Sequence, residues 1–129
     1  MNAQALIAKI RAAREVWLEL EPAVGSIEGD APGQPALRVK VRRPAEADTL
    51  AFARGTFADG AARVVVGWEG FSEATLFGVA VGSSDALPFD PDLWAEVVRD
   101  RTDWIVKVTE RASQLVKEHG EARQAHAKN

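Results

Sequence analysis

Two short segments of alternating residues flank a stretch rich in glycine and proline. In residues 15–21 every second residue is aliphatic, and in residues 37–42 aliphatic residues alternate with basic ones. A period of two is typical of a β-strand that buries one face. The intervening residues 23–35 include three glycines and two prolines, which is the composition of a surface loop. The two segments are therefore predicted to form an antiparallel hairpin.

The charges of the two segments support this pairing. With the aliphatic residues turned inward, the outer face sets Glu19 and Glu21 against Arg38, Lys40 and Arg42. Opposite charges facing each other across a strand pair are stabilising, so this role for the basic residues is preferred over a nucleic-acid patch. The spacing of the apolar residues before and within the first segment leaves one alternative open, a longer helix.

Helical periodicity marks the first residues and the middle of the chain. The first predicted helix covers Ala3–Ala13. A second covers Glu46–Phe57, and after an interruption at residues 59–60 its apolar face continues, with Gly67 as the C-terminal cap. The predicted members of that face are Leu50, Ala53, Phe57, Ala61, Val64 and Val65. The run Val64–Val66 leaves a short strand open as an alternative.

The rest of the chain is predicted to be a long loop followed by two helices. Residues 67–88 hold four glycines and exceed an ordinary connection in length, which is typical of a functional or disordered loop. The Asp-Pro pair at residues 90–91 predicts a helix start. A last helix is predicted to run from Thr102 to Gly120, and the polar residues 121–129 are predicted to fray.

The composition fits one small domain and removes several classes of site. With 129 residues, 47% of them apolar, the chain can bury one core unaided. Residues 1–120 are therefore predicted to form a single α+β domain, mostly α-helical, with a small antiparallel β-hairpin. The absence of cysteine excludes disulfides, thiolate nucleophiles and cysteine-based metal sites. The net charge of −3 argues against a dedicated nucleic-acid-binding protein.

No group of residues predicts catalysis or cofactor binding. The two histidines, His119 and His126, lie in the polar C-terminal part without a neighbouring nucleophile, so we interpret them as surface residues. The acidic residues between 90 and 103 are explained mostly as helix caps and first-turn carboxylates. The glycine-rich run 78–84 lacks the lysine of a phosphate-binding loop. We therefore expect no enzyme activity, no cofactor and no metal site.

Three further segments form a more specific pattern, Val65–Phe71, Leu87–Trp94 and Asp100–Trp104. They read V-V-G-W-E-G-F, L-P-F-D-P-D-L-W and D-R-T-D-W. This series resembles the tail assembly chaperones of long-tailed, non-contractile bacteriophages, in which a V-x-G-W-x-G segment precedes a variable loop, a P-F step, a helix and a D-R-x-D turn. The resemblance extends from about Leu37 to Ile105.

The resemblance implies a non-catalytic role in the tail morphogenesis of a phage or prophage. Proteins of this family bind the tape measure protein, keep its long apolar helices from aggregating and recruit tail tube subunits. We therefore expect these two proteins as partners, self-association as a further option, and no nucleic acid or membrane as a partner. The expected location is the host bacterial cytoplasm, since such proteins leave the finished particle. The alternative is a structural neck or tail-completion protein retained in the virion, and an enzyme with an unrecognised site is a weaker third option.

The partner surface is predicted to lie on the loop from Gly67 to Phe89. This loop carries more apolar side chains than a solvated connection would hold. The residues predicted to contact a partner are Trp68, Phe71, Leu76, Phe77 and Val79. The alternative, in which part of the loop folds back over the core, is preferred for Phe71 and Leu87. Trp94 and Trp104 lie on apolar helix faces and are predicted to be core residues.

Overall fold

A three-stranded antiparallel sheet forms one layer of the protein. The computed structural model describes residues 2–25, 33–78 and 82–128. Within them, strands β1 (Glu15–Glu21), β2 (Leu37–Arg42) and β3 (Val65–Glu69) lie in the order β1-β2-β3. The predicted hairpin and the α+β class are confirmed, and helices account for more than half of the chain. The longer-helix alternative for residues 15–21 is wrong.

The register of the hairpin agrees with the predicted inner face and corrects the outer one. Val39 and Val41 are fully buried, and Glu19 lies opposite Arg38 as predicted. A bulge between Glu19 and Glu21 shifts the register, so Glu21 lies opposite Leu37. Its carboxylate accepts from Arg101 and from a tryptophan of the last helix instead of pairing with a basic residue of β2. The extra residue of a bulge locally re-aims the following side chains.

The outer face of the sheet is organised around an exposed tryptophan. Trp17 lies opposite Lys40, and the Arg38 guanidinium and the Lys40 ammonium each lie 5.0 Å from the centroid of the Trp17 ring. The Arg38 guanidinium also pairs with Glu69 of β3 at 3.0 Å. Arg38 and Lys40 are therefore engaged mainly by an aromatic face and by the third strand, whereas Arg42 pairs with Glu15 of β1 at 2.6 Å.

The helices differ from the predicted ones chiefly in the middle of the chain. They are α1 (Ala3–Ala12), a 3-10 turn (Glu46–Asp48), α2 (Thr49–Arg54), α3 (Phe57–Val64), α4 (Glu73–Phe77), α5 (Pro91–Arg99) and α6 (Thr102–Lys128).

The predicted helix over residues 46–57 breaks at Gly55, not at residues 59–60. The backbone of Gly55 is extended, and Thr56 starts a new helix by accepting a hydrogen bond from the Asp59 amide at 3.1 Å. The break resets the helical phase, so the predicted apolar face does not form. Leu50 and Phe57 are 59% and 77% exposed.

Two further boundaries need correction. Val65 and Val66 belong to β3, which confirms the strand alternative, and Gly67 lies within that strand and does not cap a helix. The predicted loop 67–88 contains the end of β3 and the helix α4. Helix α6 continues through Gly120 to Lys128, so the predicted frayed tail is helical as far as the structure describes it.

The core lies between one face of the sheet and helices α3, α5 and α6. Asp90 caps α5 as predicted, because its carboxylate accepts from the amides of Asp92 and Leu93. Trp94 and Trp104 are 0% and 1% exposed, which confirms their predicted core role. Other fully buried members are Leu20, Val39, Val41, Ala61, Val98, Val108 and Ala112.

Gly70 is a position where the fold requires glycine. Its φ is +87°, and a Cβ there would clash with the carbonyl oxygen of Ala36. The Gly70→Ala substitution is expected to lower the free energy of unfolding by at least ~2 kcal/mol, because both strain and a backbone clash are added. Urea titration followed by tryptophan fluorescence measures this change.

The matched control is Gly120→Ala in α6, where a Cβ meets no atom within 4 Å. That substitution is expected to raise the free energy of unfolding by roughly 0.5–1 kcal/mol through helix propensity. Equal urea midpoints for Gly70→Ala and the unmodified chain would contradict the assigned role of Gly70.

The C-terminal half of α6 is tied to the 3-10 turn by Glu46. The Glu46 carboxylate lies 2.9 Å from His119 Nε2 and 2.6 Å from the Arg123 guanidinium. The hydrogen bonds to His119 and then to Arg123 lower the pKa of Glu46 below its ordinary value. Because the pKa of Glu46 is lower in the folded state than in the unfolded state, its contacts contribute their full stability above the unfolded-state pKa. That contribution is lost as the pH falls through the folded-state pKa.

Replacing Glu46 with Gln should therefore loosen the end of α6. Amide hydrogen exchange over residues 117–128 is expected to become faster in Glu46→Gln, while exchange in the sheet stays the same. Glu121→Gln, on the same helix and without an ion pair in the described residues, serves as the control. Exchange that is equally fast in both variants would show that the Glu46 contacts do not hold the helix.

Candidate partner-binding surfaces

Aromatic residues of the segments Val65–Phe71, Leu87–Trp94 and Asp100–Trp104 form one cluster inside the protein. The Trp68 and Phe71 rings stack with centroids 4.4 Å apart, and Phe71 meets Trp104 edge-on at 5.9 Å. Trp94 stacks on Trp104 at 6.3 Å, and Phe89 contacts Trp68 edge-on at 5.4 Å. Offset stacks and edge-on pairs at these distances are the stable arrangements of aromatic rings.

Each buried indole of the cluster has a hydrogen-bond acceptor. The Trp68 Nε1 donates to the carbonyl of Leu87 at 2.8 Å, and the Trp94 Nε1 donates to the carbonyl of Ala61 at 3.1 Å. Trp68 is 8% exposed and Phe71 is 1% exposed. These two residues, which are among those predicted to contact a partner, are therefore part of the core. For Phe71 this agrees with the preferred prediction, in which the loop folds back over the core.

The other predicted contact residues lie on or after α4. A capping box between Ser72 and Thr75 starts this short helix. Leu76 is half-buried against the core, whereas Phe77 is 69% exposed. Val79 lies outside the described residues. Among the described members of the predicted set, Phe77 is thus the exposed one.

The D-R-x-D segment, residues 100–103, lies at the junction of α5 and α6 and contacts the first strand through Arg101. The Arg101 guanidinium pairs with Asp103 at 2.9 Å and with Glu21 at 3.0 Å. The same guanidinium lies 3.7 Å from the centroid of the Trp104 ring. Hydrogen bonding to Arg101 lowers the pKa of Asp103. This turn positions the helix and presents no reactive group.

Helix α1 exposes an apolar face that the rest of the described chain does not cover. Leu6, Ile7 and Ile10 are 48%, 39% and 54% exposed, and no residue of α1 is buried. Asn2 caps the helix by accepting from the Ala5 amide at 2.8 Å. The turn after α1 is fastened to the end of β2 because the Arg43 amide donates to the Arg14 carbonyl at 2.8 Å.

A cleft rich in arginine lies beside the C-terminal end of α1. We call it the arginine cleft, and its volume is about 450 Å³. Its basic lining residues are Arg11, Arg14, Arg42, Arg43 and Arg63. Apolar lining comes from Phe52, Val64 and Val66, and two carboxylates line it, Asp48 and Asp59. Burial, and then the charge of Arg14, lowers the pKa of Arg43, whereas Glu46 opposes that effect.

A second concavity separates α2 and α3 from α6. This α3–α6 groove has a volume of about 270 Å³ and is lined largely by small or apolar side chains. Its lining includes Phe52, Ala53, Phe57, Gly60, Ser113 and Val116. Because Phe57 is 77% exposed, the groove presents an open aromatic ring at its edge.

The sequence predicts only some of these surface features. The amphipathic character of α1 was predicted, but its lack of a covering element depends on packing. The arginine cleft was missed, because its residues come from four separate parts of the chain. One signal was present: residues 1–14 contain three basic residues and no acidic one.

The described residues hold no group of three or more histidine, aspartate or glutamate side chains placed to bind a metal ion. Across that same part of the chain, no helix is both long enough and apolar enough to cross a membrane. His119 contacts Glu46, and His126 is exposed.

Comparison with protein-family models finds no match, and searches of curated proteins and of solved structures find none either.

Single substitutions on α4 should separate core from surface. Phe77→Ser is expected to change the free energy of unfolding by less than ~0.5 kcal/mol, because the ring is exposed. Leu76→Ser is expected to lower it by ~1–2 kcal/mol, and Phe71→Ala by ~3–5 kcal/mol, in order of burial. Urea denaturation of the three variants tests this order. A large loss of stability in Phe77→Ser would place that ring in the core.

Proposed function

We propose that this protein is a tail assembly chaperone of a long-tailed, non-contractile phage or prophage. In this role it binds the tape measure protein in the host cytoplasm, recruits tail tube subunits and leaves before the particle is complete. The segments Val65–Phe71, Leu87–Trp94 and Asp100–Trp104 support the proposal through their resemblance to that family. In the folded chain these three segments meet in one aromatic cluster.

The observation that carries the proposal is the uncovered apolar face of α1. A ten-residue amphipathic helix with no buried residue contributes little to the stability of the domain, since helices in proteins depend on packing of their apolar face. Such a face is suited to bind the apolar side of another helix. The tape measure proteins of this phage class consist largely of such helices, so α1 supplies a surface that shields them.

Two other exposed aromatic rings provide contacts on different elements. Phe57 lies at the edge of the α3–α6 groove, and Phe77 ends α4. Aromatic side chains are enriched among the residues that anchor protein interfaces. A chaperone that holds a client helix while it recruits a tube subunit needs more than one accessible surface, and these rings supply them.

Co-expression with a tape measure protein from a phage of this class tests the proposal. We expect Leu6→Gln with Ile10→Gln to reduce the soluble client several-fold, because binding loses its apolar anchor. The melting temperature should stay within a few degrees, since both side chains are exposed. Val24→Gln with Val106→Gln removes two other exposed apolar side chains and should leave client solubility unchanged.

Mass spectrometry of purified particles separates the proposed chaperone from a neck or tail-completion protein. A chaperone is expected to be absent from mature virions. Recovery of this chain in stoichiometric amounts would contradict the proposal and support the structural component. Client solubility that does not depend on the chain at all would contradict both the role and its α1 surface.

A further inference from the structure

The apolar face of α1 leads directly into the arginine cleft. Ile7 and Arg11 are four residues apart, so they lie on the same side of the helix and one turn apart. Arg11 lines the cleft, whereas Ile7 belongs to the exposed apolar face. A ligand that lies along that side of α1 therefore contacts aliphatic side chains at one end and guanidinium groups at the other.

The charges of the cleft are only partly neutralised by the chain itself. Arg42 is paired with Glu15 at 2.6 Å, and the Arg43 guanidinium donates to the carbonyl of Pro44 at 2.9 Å. Asp48 and Asp59 also line the cleft, but within the described residues Arg11, Arg14 and Arg63 form no ion pair. This concentration of positive charge occurs in a chain whose net charge is −3, so it is a local feature and not a consequence of composition.

We infer that α1 and the arginine cleft together bind one acidic amphipathic helix of a protein partner. The apolar side of that helix packs on Leu6, Ile7 and Ile10, and its carboxylates enter the cleft. Guanidinium groups suit this role because they bind carboxylates with two parallel hydrogen bonds. The identity of the helix as a segment of the tape measure protein rests on the proposed function, whereas the chemistry of the site does not.

A protein helix fits the site better than other anionic partners do. A nucleic acid offers phosphates to the cleft, but its bases stack on aromatic rings, and the exposed face of α1 is aliphatic. The overall negative charge of the chain also disfavours binding a long polyanion. An anionic membrane could contact the basic amphipathic α1. However, Arg42, Arg43 and Arg63 line a concave site, which a flat bilayer does not enter.

Fluorescence anisotropy with a synthetic peptide tests the inference. The probe is a labelled helix of about five turns, with leucines on one face and glutamates on the other, and the matched probe has glutamine at every glutamate position. We expect the glutamate peptide to bind at least about tenfold more tightly than the glutamine peptide. We also expect its affinity to fall as salt is raised from ~50 to ~300 mM.

Two double variants of the full chain locate the binding site. Arg11→Glu with Arg63→Glu should weaken binding of the glutamate peptide about tenfold or more, because two attractive charges become repulsive. Leu6→Gln with Ile10→Gln should weaken both peptides. Arg54→Glu with Arg99→Glu introduces the same change of net charge at exposed positions outside the cleft, and it should leave both affinities within about twofold.

Several results would overturn the inference. Equal affinity for the two peptides would show that the carboxylates do not contribute to binding. If the Arg54→Glu, Arg99→Glu control weakened binding as much as the cleft variant does, the loss of affinity would be due to net charge and not to the cleft. Binding to phosphatidylserine vesicles or to a single-stranded oligonucleotide, without binding to the glutamate peptide, would assign the surface to a lipid or nucleic-acid partner.

These measurements are independent of the phage role. If the glutamate peptide binds as expected but the chain is found in mature particles, the chaperone proposal fails and the site stands. If the peptide does not bind but the tape measure protein still requires this chain to remain soluble, the site fails and the chaperone proposal stands.

Discussion

The stack of Trp68 on Phe71 joins the two layers of the protein. Trp68 belongs to β3, and Phe71 follows two residues after the strand ends, where its ring also contacts Trp94 of α5 and Trp104 of α6. This geometry depends on Gly70, since no residue with a side chain fits against the Ala36 backbone there. The returning segment is held by the Trp68 indole, which donates to Leu87. The sheet, the turn and both C-terminal helices thus share one aromatic contact region.

Because the residues of the aromatic cluster are part of the core, the accessible apolar residues lie elsewhere. Leu6, Ile7 and Ile10 on α1, Phe57 at the α3–α6 groove and Phe77 on α4 remain exposed. Burial of Trp68 and Phe71 contributes to stability, whereas exposure of the others costs little individually and leaves them free to bind. The residues of the aromatic cluster and the exposed residues suited to bind a partner are therefore largely different sets.

The arginines also fall into two groups, one that holds elements of the fold in place and one that is available to bind a ligand. Around the aromatic cluster, Arg101 is satisfied by Glu21, Asp103 and the face of Trp104, so this arginine fixes the position of α6. At the opposite end of β2, arginines from α1, β2 and α3 converge with fewer acidic partners. Paired charges of the first kind orient elements of the fold, and unpaired charges of the second kind are available to select a ligand.

The sequence by itself determined the elements whose signals are local. A period of two predicted β1 and β2 and their pairing, and Asp90 with Pro91 predicted the start of α5, because strand alternation and helix capping depend on a few neighbouring residues. Helical spacing also predicted the buried Trp94 and Trp104. Only the tertiary structure decided that Trp68 enters the core, and that Leu50 and Phe57 are left exposed by the break at Gly55. The arginine cleft likewise exists only in the folded chain, since residues separated by more than fifty positions approach one another through long-range packing that no local pattern encodes.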